Sequence, residues 1–383
     1  MIRLIALYLP QFHPIPENDS CWGPGFTEWT NVAKAKPLFR GHVQPRIPAD
    51  LGFYDLRLPE VREQQAQMAR EAGVEGFCYY HYWFGGGKQL LERPFNEVLS
   101  SGSPDFPFCL CWANHTWSNK TWQRQSAMQK DNVIALQTYP GHDDDVAHFM
   151  SLLPAFKDKR YIRVEGKPLF ILYEPLDHPH LKDWINTWRQ LAEDNGLPGL
   201  YLVGMANSTL TFKVNADGTR SKVLPNLDSS SDIFQWVLDQ GFDAVNSWGK
   251  RRGEMKSEGK YLNIVKTILR RLGVPVGRTF DYPKVVRHFF APEDKWENVF
   301  PTVMPNWDRT PRCAAFDGIY TNATPTNFER HLRQAVDMVK DKQPEHQIVM
   351  LKSWNEWGEG NYVEPDQEFG HGFLEAIKRA LTI

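Results

Sequence analysis

Apolar stretches of strand length recur along the chain, and each is followed by a segment whose apolar positions have helical spacing. The apolar runs fall at residues 4–9, 76–83, 106–113, 168–173, 200–205, 242–246, 299–304 and 348–351. Helical patterns follow at 59–72, 90–100, 144–156, 181–195, 232–240, 283–290, 326–340 and 373–381. Strands that are apolar at nearly every position, instead of at alternate ones, imply a parallel sheet covered on its outer face. Alternation of such strands with helices predicts an α/β fold, a (β/α)8 TIM barrel with long βα loops, as one catalytic domain over residues 1–383.

The active site of such a barrel lies at the carboxyl ends of its strands, and here those ends are crowded with polar and aromatic residues. Gln11 and His13 follow the first run; Tyr80, His81, Tyr82 and Trp83 close the second; Trp112, Asn114, His115 and Trp117 end the third. Tyr173 and Glu174 follow the fourth, Asn207 the fifth, Asn246 and Trp248 the sixth, and Asn306, Trp307 and Asp308 the seventh. Several connections exceed the usual ~2–6 residues. These are residues 11–57 with Trp22, Glu28 and Trp29, residues 117–143 with Trp122, and residues 207–231 with a tight-turn signal at Asn215-Ala216-Asp217-Gly218. They are expected to wall a cleft.

The last strand opens into Ser353-Trp354-Asn355-Glu356-Trp357-Gly358-Glu359-Gly360. Two acids three residues apart, interleaved with aromatics and glycines, suit cleavage or transfer of a glycosyl group. One carboxyl protonates the leaving oxygen while the other serves as base or nucleophile, and indole faces stack on the apolar face of a sugar ring. Three other features read as structural. Asp143-Asp144-Asp145 sits where acids cap a helix start, Gly85-Gly86-Gly87-Lys88 lacks the spacing of a phosphate loop, and Lys250-Arg251-Arg252 reads as a solvated loop.

Composition narrows the ligand. Lys and Arg total 44 against 46 Asp and Glu, a net charge of -2, which leaves no electrostatic footprint for nucleic acid or an anionic membrane. The chain carries 14 Trp, 13 Tyr and 23 Phe, many in polar company, as carbohydrate surfaces do. Five cysteines without C-x-x-C spacing predict neither a disulfide framework nor a zinc site, and Cys109 and Cys111 are expected to pack as small apolar groups. His13, His81 and His115 end strands without i, i+4 pairing, so no metal or other cofactor is expected. The apolar run at the N-terminus is too short for a signal peptide and no run approaches ~20 residues, so the expectation is a cytoplasmic protein without membrane insertion.

Tyr8-Leu9-Pro10-Gln11-Phe12-His13-Pro14, Trp22-Gly23 and Phe26-Thr27-Glu28-Trp29-Thr30-Asn31-Val32 carry a wider resemblance. With Gly76-Phe77-Cys78-Tyr79-Tyr80, Cys111-Trp112-Ala113-Asn114, Gly166-Lys167-Pro168-Leu169-Phe170 and the Trp354–Gly360 stretch, the chain resembles the WbsX-like family. Those proteins are often encoded with lipopolysaccharide and O-antigen genes and labelled glycosyltransferases. Their barrel is similar to that of the endo-α-1,2-mannosidases of glycoside hydrolase family 99. The resemblance implies that Glu356 deprotonates a sugar 2-hydroxyl, giving a 1,2-anhydro intermediate with overall retention, and that Glu359 is the acid/base. His115-Thr116-Trp117-Ser118 departs from the acidic residue expected there, which bears on substrate identity.

The resulting expectation is a metal-independent glycoside hydrolase acting on an α-linked bacterial oligosaccharide or polysaccharide. Glu356 and Glu359 are its catalytic residues. Candidate substrate contacts are His13, Trp22, Glu28, Trp29, Tyr80, His81, Tyr82, Trp112, Asn114, His115, Glu174, Trp248, Trp307, Asp308 and Asn355. The alternatives are a glycosyltransferase of surface-polysaccharide assembly and a non-catalytic carbohydrate-binding protein.

Overall fold

The computed structural model describes residues 2–118, 133–207, 213–214, 220–221, 229–258, 265, 268–269, 279–313 and 318–382. Trp122 and the turn expected at residues 215–218 lie outside the described residues.

The apolar runs form a closed parallel barrel: β1 (Arg3–Tyr8), β2 (Gly76–Trp83), β3 (Phe108–Trp112), β4 (Lys167–Leu172), β5 (Tyr201–Asn207), β6 (Ala244–Trp248), β7 (Val299–Val303) and β8 (Ile348–Leu351). Closure is visible at β1, which pairs with β8 (Arg3 opposite Ile348) and with β2 (Ile5 opposite Gly76). Nearly every residue of these strands is buried, because alternate side chains fill the barrel interior or meet the helix layer. That is the origin of the unbroken apolar runs.

The outer layer comprises α1 (Pro59–Ala72), α2 (Arg93–Ser101), α3 (His142–Lys157), α4 (Leu181–Asp194), α5 (Ser230–Asp239), α6 (Tyr282–Val286), α7 (Pro325–Val339) and α8 (Gly372–Leu381). Helix α7 shows why these segments are helical: Phe328, His331, Leu332, Ala335, Val336 and Val339 form one buried stripe, and Thr324 caps the first turn by accepting from the Asn327 N–H. Helix α1 stops at Gly73, whose φ of 90° is left-handed. Helix α6 is shorter than the pattern to residue 290 predicts; the chain leaves helical geometry after Val286 so that Phe289 can enter a satellite core with Tyr282, Met304 and Tyr320. Among the described residues no helix is long and apolar enough to cross a membrane.

Three connections differ from expectation. The first long loop contains helices Pro16–Trp22 and Glu28–Lys34, and the second of these lies against the barrel mouth. Lys250-Arg251-Arg252 starts a helix, Lys250–Glu258, in which Lys250 pairs with Glu254 at 2.6 Å and Arg252 donates to the Ser230 hydroxyl. Of the three, Arg251 is exposed and the other two are half-buried. Asp144 caps nothing in its own helix; its carboxylate accepts from the Gly86 N–H at 2.7 Å and from the Trp83 indole at 3.0 Å. The glycine loop is therefore folded around an internal anion.

Candidate active site

A cavity of about 300 Å³ opens at the carboxyl ends of the strands. Glu356 and Glu359 lie on one wall with Lys352 and Arg312; His115, Tyr173 and Glu174 lie on another; Tyr80, Tyr82 and Trp117 supply aromatic faces. The strand β8 delivers the acids. Lys352 ends its apolar run, Glu356 lies in a short hairpin with Asn361, and Glu359 closes the single helical turn Trp357–Glu359.

The acids are held by a buried ion network. Arg312 bridges three carboxylates: Nε and Nη2 reach Glu28 at 3.0 and 3.1 Å, while Nη1 reaches Glu356 at 3.1 Å and Glu359 at 2.8 Å. Arg309 Nε lies 3.1 Å from Glu359, and Lys352 Nζ lies 2.9 Å from the other oxygen of Glu356. Burial opposes the charge on Glu359, but Arg312, Arg309 and Lys352 overcome it and pull its pKa down to about 2. Burial likewise works against the Arg312 charge, and the three carboxylates drive its pKa well above the usual value. Gly358 has to be glycine here, since a Cβ on it would collide with the Glu28 carboxylate and crowd Arg312.

The opposite wall is uncharged at neutral pH. Burial and then Asp177 raise the Glu174 carboxyl to about 8, while burial and then Lys352 lower His115 to about 4. Both amide atoms of Gln11 and the Nδ1 of His115 are buried in this cavity without a hydrogen-bond partner. Such groups are normally satisfied, so they are suited to a ligand rich in hydroxyls.

The family model described as Glycosyltransferase WbsX matches residues 4–377. The chain belongs to the WbsX family. It is 36% identical over 382 residues to the protein called "Uncharacterized protein WxcX" of Xanthomonas campestris pv. campestris strain B100, covering 99% of this chain and 49% of that protein. The chain thus spans about half the length of the curated relatives it matches. Among solved structures, one described as a glycoside hydrolase-like protein superposes with a TM-score of 0.55 at 15% identity, covering 100% of this chain and 94% of the other. The GH99 endo-alpha-mannosidase from Bacteroides thetaiotaomicron, in complex with bis-tris-propane, gives a TM-score of 0.54 at 13% identity, covering 99% and 96%. At such identities the likeness is one of fold.

Within this WbsX barrel, Glu356, Glu359, Tyr80, Tyr82, His115 and Glu174 come together around the cavity. The other expected contacts do not line it. Glu28 lies beneath the wall as the bidentate partner of Arg312. Asn355 braces β8 to the first loop, accepting from the Leu9 N–H and donating to its carbonyl at 2.8 and 3.0 Å. Asp308 is consumed by His42 and Gln44, at 2.8 and 2.7 Å. Trp29 packs on Phe12, Tyr54 and Trp357, and Trp112 on His148 and Trp184. Trp248 and Trp307 pack together in the satellite core. Trp22 stacks on Phe26 in the first loop, His81 faces His148 with 2.8 Å between their Nε2 atoms, and His13 is buried with its pKa near 4. An aromatic at a strand end faces either the cavity or the helix layer, and the apolar pattern does not say which.

Seven lining residues were not among the expected contacts: Leu9, Gln11, Ala113, Trp117, Tyr173, Arg312 and Lys352. Lys352 carried a signal, as the one cation directly following an apolar strand run. Arg312 carried none, because its three partners are remote or on other elements.

Proposed function

We propose that this WbsX-family barrel is a glycoside hydrolase that cleaves an α-linked bacterial polysaccharide or O-antigen-type glycan, with Glu356 and Glu359 as its reactive carboxylates. The observation that carries the reading is the placement of two ion-paired carboxylates in an aromatic-walled cavity at the carboxyl end of a glycosidase-type barrel. A glycosidic C–O bond breaks through a transition state with positive charge at the anomeric carbon. Preorganised anions beside that carbon stabilise it without reorganisation. Tyr80, Tyr82 and Trp117 offer ring faces to the sugar, and Gln11 and His115 offer unused polar atoms to its hydroxyls. In this reading Glu356 takes the proton of the sugar 2-hydroxyl, so that the reaction retains configuration through a 1,2-anhydro sugar. An α-mannosidic linkage is the first to try, given the endo-mannosidase among the fold's neighbours.

The family's description favours a second reading, transfer of the glycosyl group to an acceptor hydroxyl instead of water. One experiment separates the two. Purified protein is incubated with a panel of bacterial polysaccharides and, in parallel, with nucleotide sugars plus acceptors. New reducing ends that vanish in Glu356→Gln and Glu359→Gln support hydrolysis. Nucleotide release with acceptor extension supports transfer, and neither product from any donor overturns both.

A further inference from the structure

Cleavage of an unactivated glycoside needs a proton for the departing oxygen, and a general acid has to carry that proton when substrate arrives. Glu359 is poorly placed for this. One of its oxygens already meets Arg312 and Arg309, and protonation would surrender both ion pairs. Lys352 adds to the same opposition.

Glu174 differs in each respect. It follows β4, on the wall facing the network, and its main chain is clamped by one amide. Asn114 Oδ1 accepts from the Glu174 N–H and Asn114 Nδ2 donates to the Glu174 carbonyl, both at 2.8 Å. Among the described residues no lysine or arginine pairs with its carboxyl. The groups around it are neutral or negative: Asp177 in the following turn, the phenols of Tyr139 and Tyr173, and the imidazole of His115, whose pKa near 4 leaves it uncharged. Lys352 and Arg312 share the cavity but are committed to Glu356, Glu359 and Glu28.

We propose that Glu174 is the proton donor to the departing glycosidic oxygen, while Glu359 keeps its ion pairs with Arg312 and Arg309 through that step. The inference rests on the reading of the cavity as a glycoside-cleaving site. As the C1–O bond breaks, its electron pair goes to the leaving oxygen, which takes the Glu174 proton, and the Glu174 carboxylate remains. The sugar 2-oxygen, its proton passed to Glu356, forms the new bond to C1. Water then attacks C1 and passes one proton to Glu174, while the O2 released from the opening ring takes its proton back from Glu356, so every proton is restored and the cycle is redox-neutral. Burial and Asp177 together hold the carboxyl to about 8, which keeps it loaded at neutral pH.

Two measurements test this. The first is difference infrared spectroscopy of wild type against Glu174→Gln across pH. The expected result is a protonated-carboxyl band that belongs to Glu174 and disappears as pH rises through about 8; a Glu174 already ionised at pH 6 overturns the proposal without any substrate. The second compares α-linked 2,4-dinitrophenyl manno-, gluco-, galacto- and rhamnosides, whose leaving group needs no proton, with the corresponding methyl-capped disaccharides and the polysaccharides above. Glu174→Gln is expected to lose about 10²–10⁴-fold in kcat/KM on the unactivated substrates and less than about 10-fold on the dinitrophenyl ones. Glu174→Asp, which keeps an acid, should recover part of the loss. Equal losses on both substrate classes would overturn the role of Glu174 and leave the hydrolase reading standing. Inactivity of the wild type on every glycoside would instead remove that reading, and this role with it.

Discussion

The two walls of one cavity hold their carboxyl groups in opposite ways. On the β8 wall, Glu356 and Glu359 share a single Arg312 nitrogen and draw further charge from Lys352 and Arg309. On the β4 wall, Glu174 has a neutral amide on its backbone and an acid as its neighbour. Glu356 and Glu359 are buried, and Glu174 is partly buried. The difference shows that burial sets no protonation state by itself; what decides is whether cations were buried alongside the acid.

The severest way to break this contrast is to remove the cation that creates it. Arg312→Met leaves Glu28, Glu356 and Glu359 buried without their common partner, and breaking such a network costs about 3–5 kcal/mol. Urea denaturation should register that loss, and Glu28→Gln in the same background should restore part of it; an unchanged midpoint would deny the network any structural role.

Next comes the dependence of stability on pH. Glu359, pulled down from its ordinary 4.5 to about 2, contributes stability that is present above 4.5 and lost as pH falls toward 2. Glu174, raised to about 8, contributes stability that is full below 4.5 and lost as pH rises through 8. Each is worth at most about 3–5 kcal/mol. In thermal melts across pH, Glu359→Gln should flatten the acid limb and Glu174→Gln part of the alkaline limb. Glu364 shares the alkaline limb: burial raises it to about 7 even though Tyr54, Gln65, Trp354 and Trp357 all donate to it.

Two smaller effects sharpen the comparison. Gly358→Ala drives a methyl into the Glu28 carboxylate and should destabilise by about 1–3 kcal/mol, as overpacking does. A crystal structure of that variant should show Arg312 displaced. Asn114→Ala removes the two bonds that fix Glu174 without touching the β8 wall, a cost of about 1–2 kcal/mol. If the clamp only stabilises the fold, kcat will not change with it; a fall in kcat on unactivated glycosides alone would show that it positions Glu174.

Much of this was legible along the chain. Runs such as 76–83 and 348–351 coincide with barrel strands because a strand buried on both faces needs an apolar residue at every position. The Glu356/Glu359 pair stood out because it follows such a strand directly. What misled was crowding at strand ends. Trp112, Trp248 and Trp307 look like a sugar-binding rim in one dimension, yet Trp112 packs on His148 and Trp184, and Trp248 and Trp307 pack on each other with Lys352 Nζ 5.4 Å from the Trp248 ring centre. The first loop concealed two helices, whose short amphipathic stretches are shaped by the barrel mouth they cover more than by their own periodicity.

The local pattern, then, determined the barrel, the end of it that opens, and the acids that project there. These depend on neighbours within one turn or one strand, and such neighbours are adjacent in the chain. Tertiary structure alone decided which acids are paired with cations. Glu28 and Arg312 meet across 284 positions, and Asn355 braces Leu9 across 346. Glu174, Glu356 and Glu359 are the same residue type; only the folded chain, by burying Arg312 with two of them while, among the described residues, no lysine or arginine pairs with the third, makes them chemically different.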